Sequence, residues 1–217
     1  MDENDVNALY EPNAVLTITS DPNGGITAPT SSPYEVAKGT VVTITCEPCD
    51  CNHFVVWSGD TGTIASTTSA TTTITMDANY TIIGNSAPNY YTLTYTSGAH
   101  GSITGTTPQS VRCYADGTEV NAIPDNCYHF VSWSDACSTS YRTETNVQAS
   151  ASYTATFAID THLLEVSTDG NGVIVTPDPN TATYNCGQVV PIGARANTGY
   201  HFSHWSGDVN YVAIVDL

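Results

Sequence analysis

Cysteine and histidine crowd together once in this chain, as Cys46-x-x-Cys49-x-Cys51-x-His53. The spacing is that of a metal site, and thiolates beside an imidazole would suit Zn²⁺. Such a site needs deprotonated thiols in reducing surroundings. The wider sequence points the other way. Seven cysteines (Cys46, Cys49, Cys51, Cys113, Cys127, Cys137 and Cys186) lie in a lysine-poor chain whose polar residues are mostly Thr, Ser and Asn. That usage favours an oxidising, extracellular setting, so all seven are disulfide candidates. A bridge from Cys113 to Cys127 or Cys137 is one arrangement, three bridges would leave one thiol over, and the spacing alone does not fix the connectivity.

The other chemistry-bearing residues recur. His-Phe-x-x-Trp-Ser occurs at His53–Ser58, His129–Ser134 and His201–Ser206, and these copies hold all three tryptophans. The tryptophans are spaced 76 and 72 residues apart. A fixed period marks an array of like modules. No Ser-His-Asp or Cys-His arrangement repeats with the histidines, and an activity in triplicate would be unusual. The recurring residues therefore read as fold determinants, with Phe54, Trp57, Phe130, Trp133, Phe202 and Trp205 as the repeat core, and no catalytic or cofactor-binding residue is assigned. Asp2, Asp60, Asp77 and Asp208 fall at expected turns. Ca²⁺ is the cofactor such oxygens could take, but no Asp-x-Asp-x-Asp-Gly loop is present, and turn capping is the simpler role.

Composition narrows the function classes. Four basic residues against 21 acidic ones give a net charge of -17. A chain this acidic repels nucleic-acid phosphates and anionic lipid heads. No apolar stretch approaches spanning length, so neither nucleic-acid binding nor membrane insertion is expected. No basic start followed by an apolar run is present, so either a removed leader or an excerpt of something longer is expected.

The elements that position these residues read as strands. Each module opens with an alternating run, a Gly-rich turn and a second run: Leu16–Thr19 to Ile26-Thr27, Leu93–Thr96 to Ile103-Thr104, and Leu164–Ser167 to Val173–Val175. Asn-Gly between such runs predicts hairpins. A strand begins after Gly39, Gly117 or Gly187, with Val42, Ile44 and Cys46 on one face, as with Val190, Ile192 and Ala194. The His-Phe-x-x-Trp strand carries aromatics on both faces if regular, so it is either central or bulged before the Trp. Two closing strands end each module, Thr71–Met76 with Tyr80–Ile83, and Val147–Ala149 with Tyr153–Phe157. The fold class is all-β, or β-dominated and β-grasp-like, with about six strands per module and three tandem small modules in an extended array. The expected divisions are 1–12, a strand completing a neighbouring repeat; 13–87; 88–160; and 161–217, lacking its last strand.

That last expectation rests on a match. Met1-Asp2-x-Asn4 resembles Met76-Asp77-x-Asn79, which precedes a closing strand, whereas the third module reaches Leu217 with no such turn. Either a longer tandem array is cut here, or the N-terminal strand of one copy fills the third module of the next. A head-to-tail contact of that kind builds a homopolymer. The assembly interface is then Val6, Ala8 and Tyr10 against Val212 and Ile214.

Gly199-Tyr200-His201-Phe202 through Trp205-Ser206-Gly207-Asp208, with the Phe-x-x-Trp-Ser and Met-Asp-x-Asn elements, resembles the bacterial surface-repeat family that includes the internalin B-repeats, in its divergent form. Cys51 and Cys127 replace the glycine that the motif has at this point. The resemblance implies secreted or cell-wall location, a stalk, adhesion or enzyme-appendage role, no catalysis, and a β-grasp fold with a short helix. The leading expectation is an extracellular stalk or filament subunit. The alternative is a surface adhesin module that binds glycan or host protein through loops and aromatics such as Tyr90, Tyr91, Tyr114 and Tyr141.

Overall fold

The computed structural model describes residues 10–208; Val6, Ala8, Val212 and Ile214 of the expected assembly interface lie outside them. Tyr10 is fully solvent-exposed. The described chain is all-β, with no helix, so the short helix implied by the resemblance is absent. Backbone contacts divide it into two compact units. The first holds residues up to Leu93 with 108–118 and 143–151; the second holds 94–107, 119–142 and the residues from Ser152 on.

The first unit contains a complete seven-strand module: β1 (Ala14–Ser20), β2 (Gly24–Ala28), β3 (Tyr34–Val36), β4 (Thr40–Pro48), β5 (Asn52–Gly59), β6 (Thr71–Met76) and β7 (Tyr80–Pro88). These form two sheets, ordered β3-β1-β7-β5 and β2-β4-β6. The expected hairpins do not form. β1 pairs with β3 and, in parallel, with β7, while β2 pairs with β4. β6 pairs with β4, and β7 with β1 and β5. Each tight turn instead carries the chain from one sheet to the other. The reason is visible at Asp21. Its N–H donates to the Gly84 carbonyl at 3.0 Å, and its carboxylate accepts the N–H groups of Asn23 and Ser86. The turn is thereby tied to β7 rather than closed on its own second strand.

Alternation supplies the core between these sheets. Leu16 and Ile18 from β1, Ile44 and Cys46 from β4, Ile74 and Met76 from β6, and Ile82 from β7 are buried around Trp57. β5 lies at a sheet edge and is not central. It carries the bulge that the two-faced aromatic pattern allowed, between Phe54 and Val56. The extra residue, Val55, turns outward. Phe54 and Trp57 then share the inner side, with ring centroids 5.4 Å apart. The indole N–H of Trp57 donates to the Ser69 carbonyl at 2.9 Å, which pins the long connection to β6 over the ring. Gly59, in the left-handed region at φ 94°, ends the strand where a Cβ would collide with the Thr81 carbonyl.

A second module repeats the pattern: β8 (Tyr90–Ser97), β9 (Gly101–Thr104), β10 (Gln109–Arg112), β11 (Val120–Pro124), β12 (Tyr128–Trp133), β13 (Tyr141–Arg142) and β14 (Ala151–Ile159). Within the first unit, the first half of β8 pairs with β10. Within the second, β11 lies between β9 and β13, and β12 pairs with β14 across a bulge between Phe130 and Ser132. The count of seven exceeds the expected six because β3 and β10 are short strands of their own. The expected closing strand at Val147–Ala149 is not a strand; β13 takes that place six residues earlier. Trp133 is 1 % exposed, and its N–H donates to the Thr139 carbonyl at 3.0 Å.

Arg142, on β13, braces this module. Its guanidinium lies 3.7 Å from the Tyr153 ring centroid and 5.2 Å from that of Trp133, and it grips both carboxylate oxygens of Asp135. The fork holds the Asp135 carboxyl below the usual aspartate range.

The third module shows four described strands, β15 (Thr161–Glu165), β16 (Gly172–Thr176), β17 (Thr181–Asn185) and β18 (Gly193–Ala196), paired β15-β17 and β16-β18. The strand expected from Gly187 starts only at Gly193, so Val190 and Ile192 precede it; Pro191 has no N–H to give a ladder. His201–Ser206 is not in a strand, and Phe202 is 45 % exposed, whereas Phe54 and Phe130 are half-buried.

Trp57→Ala or Trp133→Ala is expected to cost about 3–5 kcal/mol of unfolding free energy in urea titrations. Arg142→Ala is expected to cost about 1–3 kcal/mol, and Arg142→Lys to recover only part, because an ammonium cannot both fork Asp135 and stack on the ring. Since the Asp135 pKa is depressed on folding, its contribution is present above the ordinary aspartate pKa and is lost as pH falls through the folded value. The stability gap between the wild type and Asp135→Asn should therefore close below about pH 4.

Candidate functional site: the repeat junctions

The three thiols of the Cys46 cluster part company. Cys46 points into the core at 1 % exposure, and burial pushes its thiol pKa up. Cys49 is exposed and free. Cys51 is bonded to Cys113, and Cys127 to Cys186. Cys137 is free, its thiol 3.3 Å from the Thr139 hydroxyl, which lowers its pKa. Among the described residues, no group of three or more His, Cys, Asp or Glu could hold a metal ion. Asp60 accepts the Thr81 N–H at 2.8 Å, and Asp77 accepts the Tyr80 hydroxyl, so both serve turns.

Cys113 thus joins neither Cys127 nor Cys137. Both bridges run between successive modules, and they are built alike. Cys51 and Cys127 each stand immediately before the aromatic strand, in the left-handed region at φ 63° and 67°. Gly199 occupies the same place in the third module at φ 89°. A left-handed non-glycine residue costs about 1–3 kcal/mol, so the cysteines are kept there against local strain. Their partners also match. Cys113 precedes Tyr114 at φ 65°, and Cys186 precedes Gly187 at φ 76°; in the first module Lys38 precedes Gly39 at φ 84°. In the chain-entropy picture, closing loops with separations of 62 and 59 residues contributes about 4 kcal/mol each.

The linker residue between modules is clamped in the same way twice. The Asn89 N–H donates to the Cys51 carbonyl at 2.8 Å, and the Asn89 carbonyl accepts the Cys113 N–H at 2.9 Å. Asp160 does the same with Cys127 and Cys186, at 2.8 Å each. The preceding histidine holds the side chain: His53 Nδ1 lies 2.8 Å from Asn89 Oδ1, and His129 Nδ1 lies 2.7 Å from Asp160 Oδ1. At the first junction Tyr114 also donates its hydroxyl to Asp50, and that bond raises the tyrosine pKa. His53 and His129 therefore serve the joint, while Phe54, Trp57, Phe130 and Trp133 beside them serve the core. Sequence reasoning had no signal for Asn89 and Asp160, because they differ in type and match only in place.

His53→Ala and His129→Ala are expected to shift global stability by less than about 1 kcal/mol, since both pairs are solvent-exposed. Hydrogen exchange at the Asn89 and Asp160 amides should nonetheless accelerate, and unchanged protection there would remove the clamp role. Non-reducing peptide mapping should return Cys51 with Cys113 and Cys127 with Cys186.

Comparison with known proteins agrees with this repeating construction. Three successive segments, residues 14–89, 91–161 and 162–216, match the family model for the divergent InlB B-repeat domain. No curated protein and no solved structure matches the chain. With nearly all of its length covered by three tandem copies, the chain belongs to the divergent InlB B-repeat family.

Proposed function

We propose that the chain is a structural repeat segment of an extracellular or cell-surface protein, acting as a stalk or filament element rather than as an enzyme. The observation that carries this reading is the joint built twice, each with a disulfide between successive modules and a clamped linker residue. Such joints keep neighbours together under load and oxidising conditions. The acidic, lysine-poor surface fits an extracellular setting, and the family is one of surface repeats.

The finer reading concerns the third module. Among the described residues, β15 is paired on one edge only, by β17, whereas its counterpart β1 also pairs with β7. Trp205 is half-buried, against 2 % and 1 % exposure for Trp57 and Trp133. An open edge beside an open core accepts a strand. The candidate donor is Met1–Pro12 of a second copy. In the first five residues of β7 the inward positions are Tyr80, Ile82 and Gly84. Direct alignment of Met1-Asp2-x-Asn4 on Met76-Asp77-x-Asn79 would put Asp5, Asn7 and Leu9 inward, two polar residues and one apolar. A one-residue shift puts Val6, Ala8 and Tyr10 there instead, and a register with a buried apolar face is the stable one.

Electron microscopy of the purified chain should show head-to-tail polymers, and deletion of residues 1–12, or Val6→Asp with Ala8→Asp, should leave monomers. Unchanged assembly after either change would refute strand donation. Dispersed monomers that bind glycans would favour the adhesin reading, for which Tyr90, Tyr114 and Tyr141 are exposed and could stack on sugar rings.

A further inference from the structure

The two bridges sit at strand boundaries. β5 begins one residue after Cys51, and β10 ends one residue before Cys113. β12 begins one residue after Cys127, and β17 ends one residue before Cys186. Each disulfide therefore encloses whole strands, β5 to β10 in one loop and β12 to β17 in the other, and cuts none. A covalent bridge also carries tension in place of the chain that it spans.

We infer that the junction disulfides are force bypasses, which take two long loops out of the load-bearing path and cap how far the array stretches. The inference rests on the reading of the chain as a load-bearing repeat segment. From Tyr10 to Asp208 the covalent path under tension runs along 10–51, crosses the first bridge to 113, continues to 127, and crosses the second bridge to 186. Only β1 to β4, β11 and β18 lie on that path. The parallel partner of β1, strand β7, is inside the first loop. So are Trp57 and its capped connection, while Trp133 and Arg142 are inside the second. When a module gives way under tension, its path strands straighten while the enclosed strands remain held at both ends by one bond. They can pair again without a search along an extended chain.

The ends of the ladder fit the same scheme. Lys38 fills the place of the receiving cysteine in the first module, and Gly199 that of the donating cysteine in the third. Both junctions between the three modules are bridged, and neither outer position carries a thiol at that place.

Single-molecule force spectroscopy on the full chain, held by handles at its two ends under oxidising conditions, tests this. With both bridges closed, the described stretch should extend to roughly 280 Å, at about 3.5 Å per residue. The pair Cys51→Ser with Cys113→Ser should add roughly 210 Å, and Cys127→Ser with Cys186→Ser roughly 200 Å. Loss of both should lengthen the stretch roughly 2.5-fold. If a variant does not fold, the oxidised wild type held at constant force answers the same question. Added dithiothreitol delivers two electrons and two protons to each bridge, leaving two cysteine thiols while its own two thiols close to a cyclic disulfide. Discrete late steps of those two lengths are expected. Equal extension of wild type and variants, or no late steps under reductant, would overturn the inference. Failure of the chain to polymerise would sink the strand-donation reading and leave this result standing, because the measurement is made on single chains.

Discussion

Strand β7 is bonded along both edges, in parallel to β1 and antiparallel to the bulged β5. Most else in a module depends on it. It receives the Asp21 turn at Gly84 and Ser86, and it buries Ile82 in the core. It delivers the chain past Pro88 to Asn89, the residue that the junction clamps. In the second module β14 pairs with β12 in the same way and leads to Asp160. The third module shows the converse among the described residues. No strand lies in that place beside β15, and His201–Ser206 does not form a strand although its sequence repeats. An edge strand whose single neighbour is β7 takes its whole backbone ladder from that neighbour.

The junction couples local strain to long-range order. A glycine before the aromatic strand adopts the left-handed turn without cost, as Gly199 does. Cys51 and Cys127 accept the strain because only a side chain can reach the next module. The linker bonds of Asn89 and Asp160 are backbone bonds, indifferent to residue type, and the histidine adds a side-chain contact on the solvent side. A small module with a core of about ten buried residues gains more from such a cross-link than a large one would, since its own burial is limited. The arrangement also separates roles along one short motif. In the first two copies of His-Phe-x-x-Trp the first residue joins, the second and last pack, and the strand bulge falls between them; in the third copy Phe202 and Trp205 lie 5.4 Å apart outside any strand.

Much of this could be read from the chain before any coordinates. The period of the three tryptophans gave three modules, and alternation gave strands without helices. The two-faced aromatic pattern allowed the bulge at Val55 and Val131. Cysteine usage pointed to disulfides, and two form among the described residues. What misled was local turn chemistry: Asp21–Gly25 has the composition of a hairpin, yet it carries the chain between sheets. Turn residues specify a reversal of direction, and they do not specify which strand will lie alongside.

The order of the sequence thus determined what repeats and, in the first module, which strand positions face inward, because those depend on the repeat period and on the two-residue alternation of a strand. Only the tertiary structure decided that neighbouring strands part into different sheets, that β5 is an edge, and that Cys51 finds Cys113 and Cys127 finds Cys186. Those outcomes depend on distances between residues some sixty positions apart, and seven identical thiols carry no local mark of which two will meet.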